Sequence, residues 1–96
     1  MIMARLTIAR LRELVRTLAY SISLHADDEL DEDDLTVFDL ETILLSGTIV
    51  ERQIDRDSRE TKYIVRGNTL AGQQAECVVK IDQSGRLLVI TVYLDE

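Results

Sequence analysis

The chain has 96 residues, of which 46% are hydrophobic, and a formal net charge of −7 at pH 7. This length corresponds to a single domain over residues 1–96, and the hydrophobic fraction excludes a disordered chain. An acidic chain repels phosphate backbones, so nucleic-acid binding without sequence preference is disfavoured unless basic residues are concentrated locally.

The cysteine content and the apolar runs exclude further classes of protein. The only cysteine, Cys77, cannot form an internal disulfide, and it lacks the partners of a zinc site. No apolar run has the length of a transmembrane helix, and the N-terminus lacks the apolar core of a signal peptide. We therefore expect a cytoplasmic protein that does not associate with membranes.

Residues 1–19 are predicted to form an N-terminal helix. Apolar side chains recur at helical spacing over residues 3–18, and arginines lie between them. The pattern gives one apolar stripe and one basic face. That face is either a solvated surface or a surface that attracts an acidic partner or RNA.

Residues 20–47 are predicted to form a second helical segment. Residues 20–24 alternate in polarity and are expected to be an extended connector. A short acidic helix follows, with Ser23 as a candidate N-cap. Seven carboxylates lie within residues 25–34, but the central glycine of a calcium-binding loop is missing, so no metal is predicted.

The best-marked helix of the sequence follows Thr36. Thr36 and Asp39 have the spacing of a capping box, with Asp in place of the usual Glu. The helix is predicted to run through residue 45. Gly47 is predicted to end it in the left-handed conformation that glycine adopts most easily.

Residues 48–96 are predicted to form four strands, over residues 48–54, 61–66, 75–82 and 86–94. The short connections between them indicate an antiparallel sheet with the helices packed on one face. The last segment is rich in β-branched residues and apolar at both alternating positions. It is therefore predicted to be a central strand that is buried on both faces.

Several local signatures follow one another in an order that is informative as a set: Ser23-Leu24-His25-Ala26, Leu45-Ser46-Gly47, Ile49-Val50-Glu51, Tyr63-Ile64-Val65-Arg66-Gly67, Glu76-Cys77-Val78-Val79 and Leu88-Val89-Ile90-Thr91-Val92-Tyr93. Over residues 20–93 this order resembles the domain-of-unknown-function family 4258, which is similar to a compact RelE-type toxin. The resemblance implies an α+β fold in which N-terminal helices pack on a four-stranded antiparallel sheet.

The resemblance also implies a function, that of an RNA-cleaving toxin held in check by a cognate antitoxin. Such mRNA interferases need no metal or cofactor, because the 2′-hydroxyl of the RNA attacks the adjacent phosphate. This reaction requires a base, a cation that stabilises the phosphate charge, and an acid. His25 matches the family's histidine and would act as base or acid. Arg66 or Lys62 would hold a phosphate, and Tyr93 would donate a proton or stack on a base.

The chain departs from the family pattern at candidate site positions. Glu29 and Leu30 occupy positions where the family usually has an arginine and a methionine, and Glu76 replaces a histidine found in many members. A carboxylate opposes phosphate binding in a desolvated site, although it can serve as a base. The candidate catalytic residues of a metal-independent endoribonuclease are therefore His25, Arg66, Glu76 and Tyr93.

Two functional hypotheses follow from these residues. The first is a RelE-like toxin that acts on RNA, which requires the four candidates to converge on one locally positive, concave surface. The second is a non-catalytic interaction domain of the same fold, which binds a protein partner or forms a homodimer. It predicts scattered or buried candidates and an interface at a free sheet edge or an apolar patch.

Overall fold

A computed structural model of the chain describes residues 5–95. It contains three helices and five strands within that range, in the order α1 (Ile8–Arg16), β1 (Tyr20–Ile22), α2 (Leu24–Glu32), α3 (Val37–Ser46), β2 (Thr48–Ile54), β3 (Thr61–Asn68), β4 (Gln74–Ile81) and β5 (Leu87–Leu94). The strands form one sheet in the order β1-β5-β4-β3-β2. β1 runs parallel to β5, and the other neighbours are antiparallel. The α+β class is confirmed, but the sheet is mixed and five-stranded rather than four-stranded and antiparallel.

The fifth strand lies in the segment that was expected to be an extended connector. Tyr20 pairs with Leu87, and Ile22 pairs with Val89. A strand of three residues is too short for its alternation to identify it, and its partner lies at the far end of the chain. The parallel pairing is possible because the intervening helices and strands form a long crossover connection.

The helix α1 is shorter than predicted. It begins after Thr7, whose side chain accepts a hydrogen bond from Arg10 N at 3.1 Å. Residues 1–4 of the predicted helix lie outside the described residues. The buried stripe of the helix consists of Leu11, Leu14 and Val15, so the predicted amphipathic pattern is confirmed over this part.

Left-handed residues end α1 and α2, although neither of these residues is glycine. Leu18 has a φ of 58°, and Asp34 has a φ of 56°. After α1, Leu18 N donates to Val15 O at 3.1 Å and Ala19 N donates to Leu14 O at 2.8 Å. These two bonds form a Schellman motif, which satisfies carbonyl groups left free at the helix end.

The capping box at the start of α3 is confirmed, whereas the predicted role of Gly47 is wrong. Thr36 and Asp39 exchange both bonds of the box. Gly47 has a φ of −86° and a ψ of 173°, which is extended backbone. Its lack of a side chain matters for packing, because a Cβ there would lie 2.6 Å from Ile43 O and 2.8 Å from Arg66 O.

Gly67 on β3 has the same function as Gly47. A Cβ on Gly67 would lie 2.1 Å from Ile43 O, well inside van der Waals contact. The two glycines therefore let the C-terminal end of α3 lie directly against the backbone of β3. Asn68 N also donates to the Ser46 hydroxyl at 3.1 Å, which joins the two elements further.

The main core lies between the helices and one face of the sheet. Leu87, Val89 and Val92 of β5 are buried on this face, with at most 1% of their surface exposed. Because Ile90 is an extra residue in the pairing with β4, it shifts the alternation, and Val92 lies on the same face as Val89. The opposite face, called the open face here, is only half-buried. The prediction that β5 is buried on both faces is therefore wrong for the open face.

The helix α2 covers the edge of β5 beyond the end of β1. Ser23 N donates to Val89 O at 3.0 Å, and the Ser23 hydroxyl donates to Ile90 O at 2.9 Å. Val92 N donates to Glu29 Oε1 at 3.0 Å. Ser23 is also the N-cap of α2, as predicted, since its hydroxyl accepts a hydrogen bond from Ala26 N. Side chains therefore replace a neighbouring strand along this part of the edge.

We expect the substitution Leu18→Gly to raise the free energy of unfolding by about 0.5–1 kcal/mol. It removes the steric cost of a left-handed leucine, and this gain exceeds the entropy that glycine adds to the unfolded chain. Urea unfolding of both proteins measures the effect. Thr17→Gly is the matched control, and it should lower stability because Thr17 has an ordinary φ of −91°. An unchanged or lower midpoint for Leu18→Gly would contradict the prediction.

The substitution Gly67→Ala should destabilise the protein by about 3 kcal/mol or more, because its Cβ would meet a backbone carbonyl that cannot move without displacing α3. Gly85→Ala is the control. Gly85 has a φ of 86° and open space around it, so alanine there should cost only about 1 kcal/mol of backbone strain. Equal losses at both positions in thermal or urea unfolding would show that close packing at Gly67 is not the cause.

Candidate functional site

Three of the four predicted site residues form a row on the open face of the sheet. Arg66 on β3 pairs with Glu76 on β4, and Glu76 pairs with Tyr93 on β5. Residues that pair directly across antiparallel strands point to the same side. The strand register alone therefore places these three side chains next to one another, on the face opposite the helices.

Both carboxylate oxygens of Glu76 are occupied by neighbours in this row. The guanidinium of Arg66 donates to Oε2, from Nε at 2.8 Å and from Nη2 at 2.6 Å. The Tyr93 hydroxyl donates to Oε1 at 2.5 Å. Asp95 adds a second carboxylate, 3.8 Å from Arg66 Nε. These four residues, Arg66, Glu76, Tyr93 and Asp95, are called the Glu76 cluster.

The hydrogen bonds of the cluster change the acidity of its members. Those from Tyr93 and Arg66 hold the pKa of Glu76 below its ordinary value, although its side chain is only 11% exposed. The hydrogen bond to Glu76, together with burial, raises the pKa of Tyr93 to about 12. The pKa of Arg66 is raised by its hydrogen bond with Glu76. Glu76 is thus a weaker base than an ordinary carboxylate, and Tyr93 is a weaker acid than an ordinary phenol.

The charges of the cluster do not favour phosphate binding. The single cation, Arg66, lies between the carboxylates of Glu76 and Asp95. Two negative charges and one positive charge leave the cluster negative near neutral pH. A phosphate that approached Arg66 would have to displace Glu76 and would still be repelled by both carboxylates.

The fourth predicted residue, His25, lies in the first turn of α2. Its side chain is 69% exposed, and its Nε2 lies 3.4 Å from Glu29 Oε1. Glu29 in turn accepts the hydrogen bond from Val92 N at the edge of β5. Within residues 5–95, no hydrogen bond or ion pair joins His25 to the Glu76 cluster. Three of the four candidate side chains thus lie side by side, and His25 contacts a different carboxylate.

The other candidate phosphate ligand, Lys62, is also on β3, where it pairs with Gln53 of the edge strand β2. Sequence reasoning missed Asp95 and the pairing of Glu29 with His25. Glu29 follows His25 by one helical turn, so its spacing could have indicated their pairing. Asp95 follows the last strand, and only the observed register brings it near Arg66.

The acidic helix α2 does not form a metal site. Across residues 5–95, no group of three or more His, Cys, Asp or Glu side chains is arranged to hold a metal ion. In the same part of the chain, none of the helices is long and apolar enough to cross a bilayer.

Over residues 5–95 the fold defines the class of this protein as a small α+β domain, with three helices packed against a mixed five-stranded sheet. The family described as "Domain of unknown function (DUF4258)" matches residues 22–94. The chain therefore belongs to this family, as the sequence predicted, while its likeness to RelE-type toxins stays a prediction. No curated protein and no solved structure matches the chain. The match runs from the end of β1 to the end of β5, and α1 precedes it.

Glu76 should make stability depend on pH in a defined direction. Its pKa is lower in the folded chain than its ordinary value of 4.5, so its ionised form stabilises the fold. This contribution is complete above the ordinary value and is lost as pH falls through the lowered pKa. Glu76→Gln should therefore be clearly less stable than the unmodified chain near neutral pH, and the difference should shrink in acid.

Urea unfolding of both proteins at several pH values between about 7 and 3 measures this difference. Taking the difference removes the contributions of carboxylates that both proteins share, such as Asp39, Asp55 and Asp82. Tyr93→Phe should lower stability by about 1 kcal/mol, because it removes one hydrogen bond to the carboxylate. A difference between the Glu76→Gln protein and the unmodified chain that stays constant across this range would contradict the assigned role of Glu76.

Proposed function

We propose that this chain is a non-catalytic protein-interaction domain of the DUF4258 family. The observation that carries the proposal is that both carboxylate oxygens of Glu76 accept hydrogen bonds from within the chain, one from Arg66 and the other from Tyr93. RNA cleavage by the 2′-hydroxyl needs a base, an acid and a cation for the phosphate. Of the residues that the family resemblance implies, Arg66, Glu76 and Tyr93 are bound to one another, and His25 lies apart from them beside Glu29. The hydrogen bonds between these side chains therefore connect the three strands β3, β4 and β5.

The surfaces around the cluster support binding of a protein. Ile64, Val78 and Ile90 on the open face are half-buried, so apolar side chains occupy this face beside the cluster. The outer edge of β2 has no neighbouring strand within the described chain. Its Val50 and Ile54 are 45% and 57% exposed. Free strand edges and exposed apolar side chains are features through which proteins pair with other chains.

The partner in this proposal is a protein, either a cognate antitoxin-like protein or a second copy of the chain. The formal net charge of −7 disfavours RNA as the partner. The cluster adds to this effect, because it places two carboxylates beside its only guanidinium.

A second candidate function is the RNA-cleaving, RelE-like toxin. It is favoured by one observation, the adjacency of Arg66, Glu76 and Tyr93 on a single face. For this function Glu76 would have to release Arg66 when RNA binds, so that the guanidinium could contact a phosphate. His25 would also have to reach the same face from α2.

Induced expression of the chain in a bacterial host separates the two functions. We expect normal growth and intact bulk mRNA, because no free acid–base pair is present at the site. The same experiment with His25→Ala and Arg66→Ala should give the same result. Immunoblotting of the soluble fraction verifies that each protein accumulates.

The toxin function predicts a different result in the same experiment. Growth arrest with loss of mRNA, relieved by His25→Ala while the variant remains soluble, would overturn the proposal and support the toxin. Incubation of the purified protein with a labelled single-stranded RNA checks whether the cleavage is direct. Light scattering of the same preparation tests whether the chain forms a homodimer.

A further inference from the structure

A basic groove lies near the start of β3, whereas the Glu76 cluster lies near the end of the same strand. It is an open depression of about 1220 Å³, between the start of α1 and the ends of the β2–β3 and β4–β5 hairpins. Typical small-molecule pockets are smaller and more enclosed, so this shape is better suited to a segment of polypeptide. Five basic side chains line it: Arg5, Arg10, Arg52, Arg59 and Lys80.

The two acidic side chains that line the groove are engaged in contacts within the chain. Glu60 accepts a hydrogen bond from Lys80 Nζ at 2.9 Å. Asp82 Oδ1 accepts backbone hydrogen bonds from Ser84 and Arg86 at 2.9 and 3.0 Å, which hold the β4–β5 turn. Neither carboxylate pairs with Arg52 or Arg59.

Arg52 and Arg59 are the cations that can bind a partner. Within residues 5–95 neither forms an ion pair, and both are exposed. The helix α1 adds to the positive potential, since Thr7 caps it at the groove and no acidic residue lies in its first turn. In an acidic protein, this groove is a localised basic surface.

The lining of the groove also includes apolar side chains, of which Ile81 is 39% exposed and Leu88 is half-buried, whereas Leu14 and Tyr63 are buried beneath them. Tyr63 is the one aromatic residue of the lining, and it is only 7% exposed. Its hydroxyl accepts a hydrogen bond from Leu6 N at 3.2 Å. Its ring is therefore not available to stack on a base, as aromatic side chains do in proteins that bind single-stranded RNA.

We infer that this groove binds an acidic peptide segment of a partner protein, with carboxylates paired to Arg52 and Arg59 and apolar side chains against the lining. The inference rests on the proposed function and specifies the chemistry of the partner. An apolar lining with cationic side chains complements a segment in which acidic and apolar residues alternate. RNA would gain the charge contacts but would lack a stacking surface.

Fluorescence anisotropy tests the inference with a labelled synthetic peptide in which Glu and Asp alternate with Leu and Ala. We expect binding that weakens as salt concentration rises, because the charge pairs at the surface are screened. A peptide with Gln and Asn in place of the acids should bind much more weakly. A labelled single-stranded RNA in the same assay should bind more weakly than the acidic peptide.

The double substitution Arg52→Glu with Arg59→Glu should raise the Kd of the acidic peptide at least about tenfold, equivalent to about 1.4 kcal/mol. Arg16→Glu with Arg56→Glu is the matched control, because it changes the net charge equally at residues outside the groove lining. Its Kd should stay within about twofold. Circular dichroism checks folding, and a milder pair, Arg52→Gln with Arg59→Gln, replaces the first if that protein unfolds.

The inference would be overturned by no binding of the acidic peptide, by equal binding of the uncharged peptide, or by equal losses in the two double variants. Tighter binding of RNA than of the peptide would also overturn it. The assay distinguishes these failures from failure of the proposed function. Loss of peptide binding leaves a non-catalytic domain with a different interface, whereas His25-dependent cleavage of the RNA would refute the proposed function itself.

Discussion

The close approach of α3 to β3 at Gly47 and Gly67 is the constraint on which the rest of the structure depends. A Cβ at either position would overlap Ile43 O. This contact places the end of α3 on one side of β3, and Arg66, the residue before Gly67, therefore points to the other side. The pairing of β3 with β4 and β5 then brings Glu76 and Tyr93 alongside Arg66. The packing of the helix and the composition of the open face are thus linked through one strand.

The Glu76 cluster shows how one largely buried carboxylate engages the polar side chains around it. A largely buried carboxylate needs partners, because an unpaired charge in that position would be costly. Arg66 and Tyr93 supply these partners. A histidine in place of Glu76 would leave the guanidinium without its strongest partner. The residue at position 76 therefore determines whether Arg66 is bound within the chain or available to a ligand.

The sequence predicted those features that depend on neighbouring residues. The capping box at Thr36, the Ser23 cap and the four longer strands are set by local patterns, and all are present. Features that depend on distant contacts were missed or wrong: the strand β1, the bulge at Ile90 and the packing role of Gly47. The same distinction applies to the candidate site. Arg66, Glu76 and Tyr93 could be named as candidates from the sequence. The hydrogen bonds between them depend on the pairing register of three strands, which the sequence did not reveal.

The covering of β5 by α2 has a consequence for self-association. One border of the sheet is formed by the three-residue strand β1 and then by the Ser23 and Glu29 side chains, which take the hydrogen bonds that a new strand would need. The other border is the seven-residue strand β2. A molecule with only one border strand long enough to pair with another chain can extend its sheet by one neighbouring molecule and no further. Edge pairing of this domain through β2 would therefore close at a dimer.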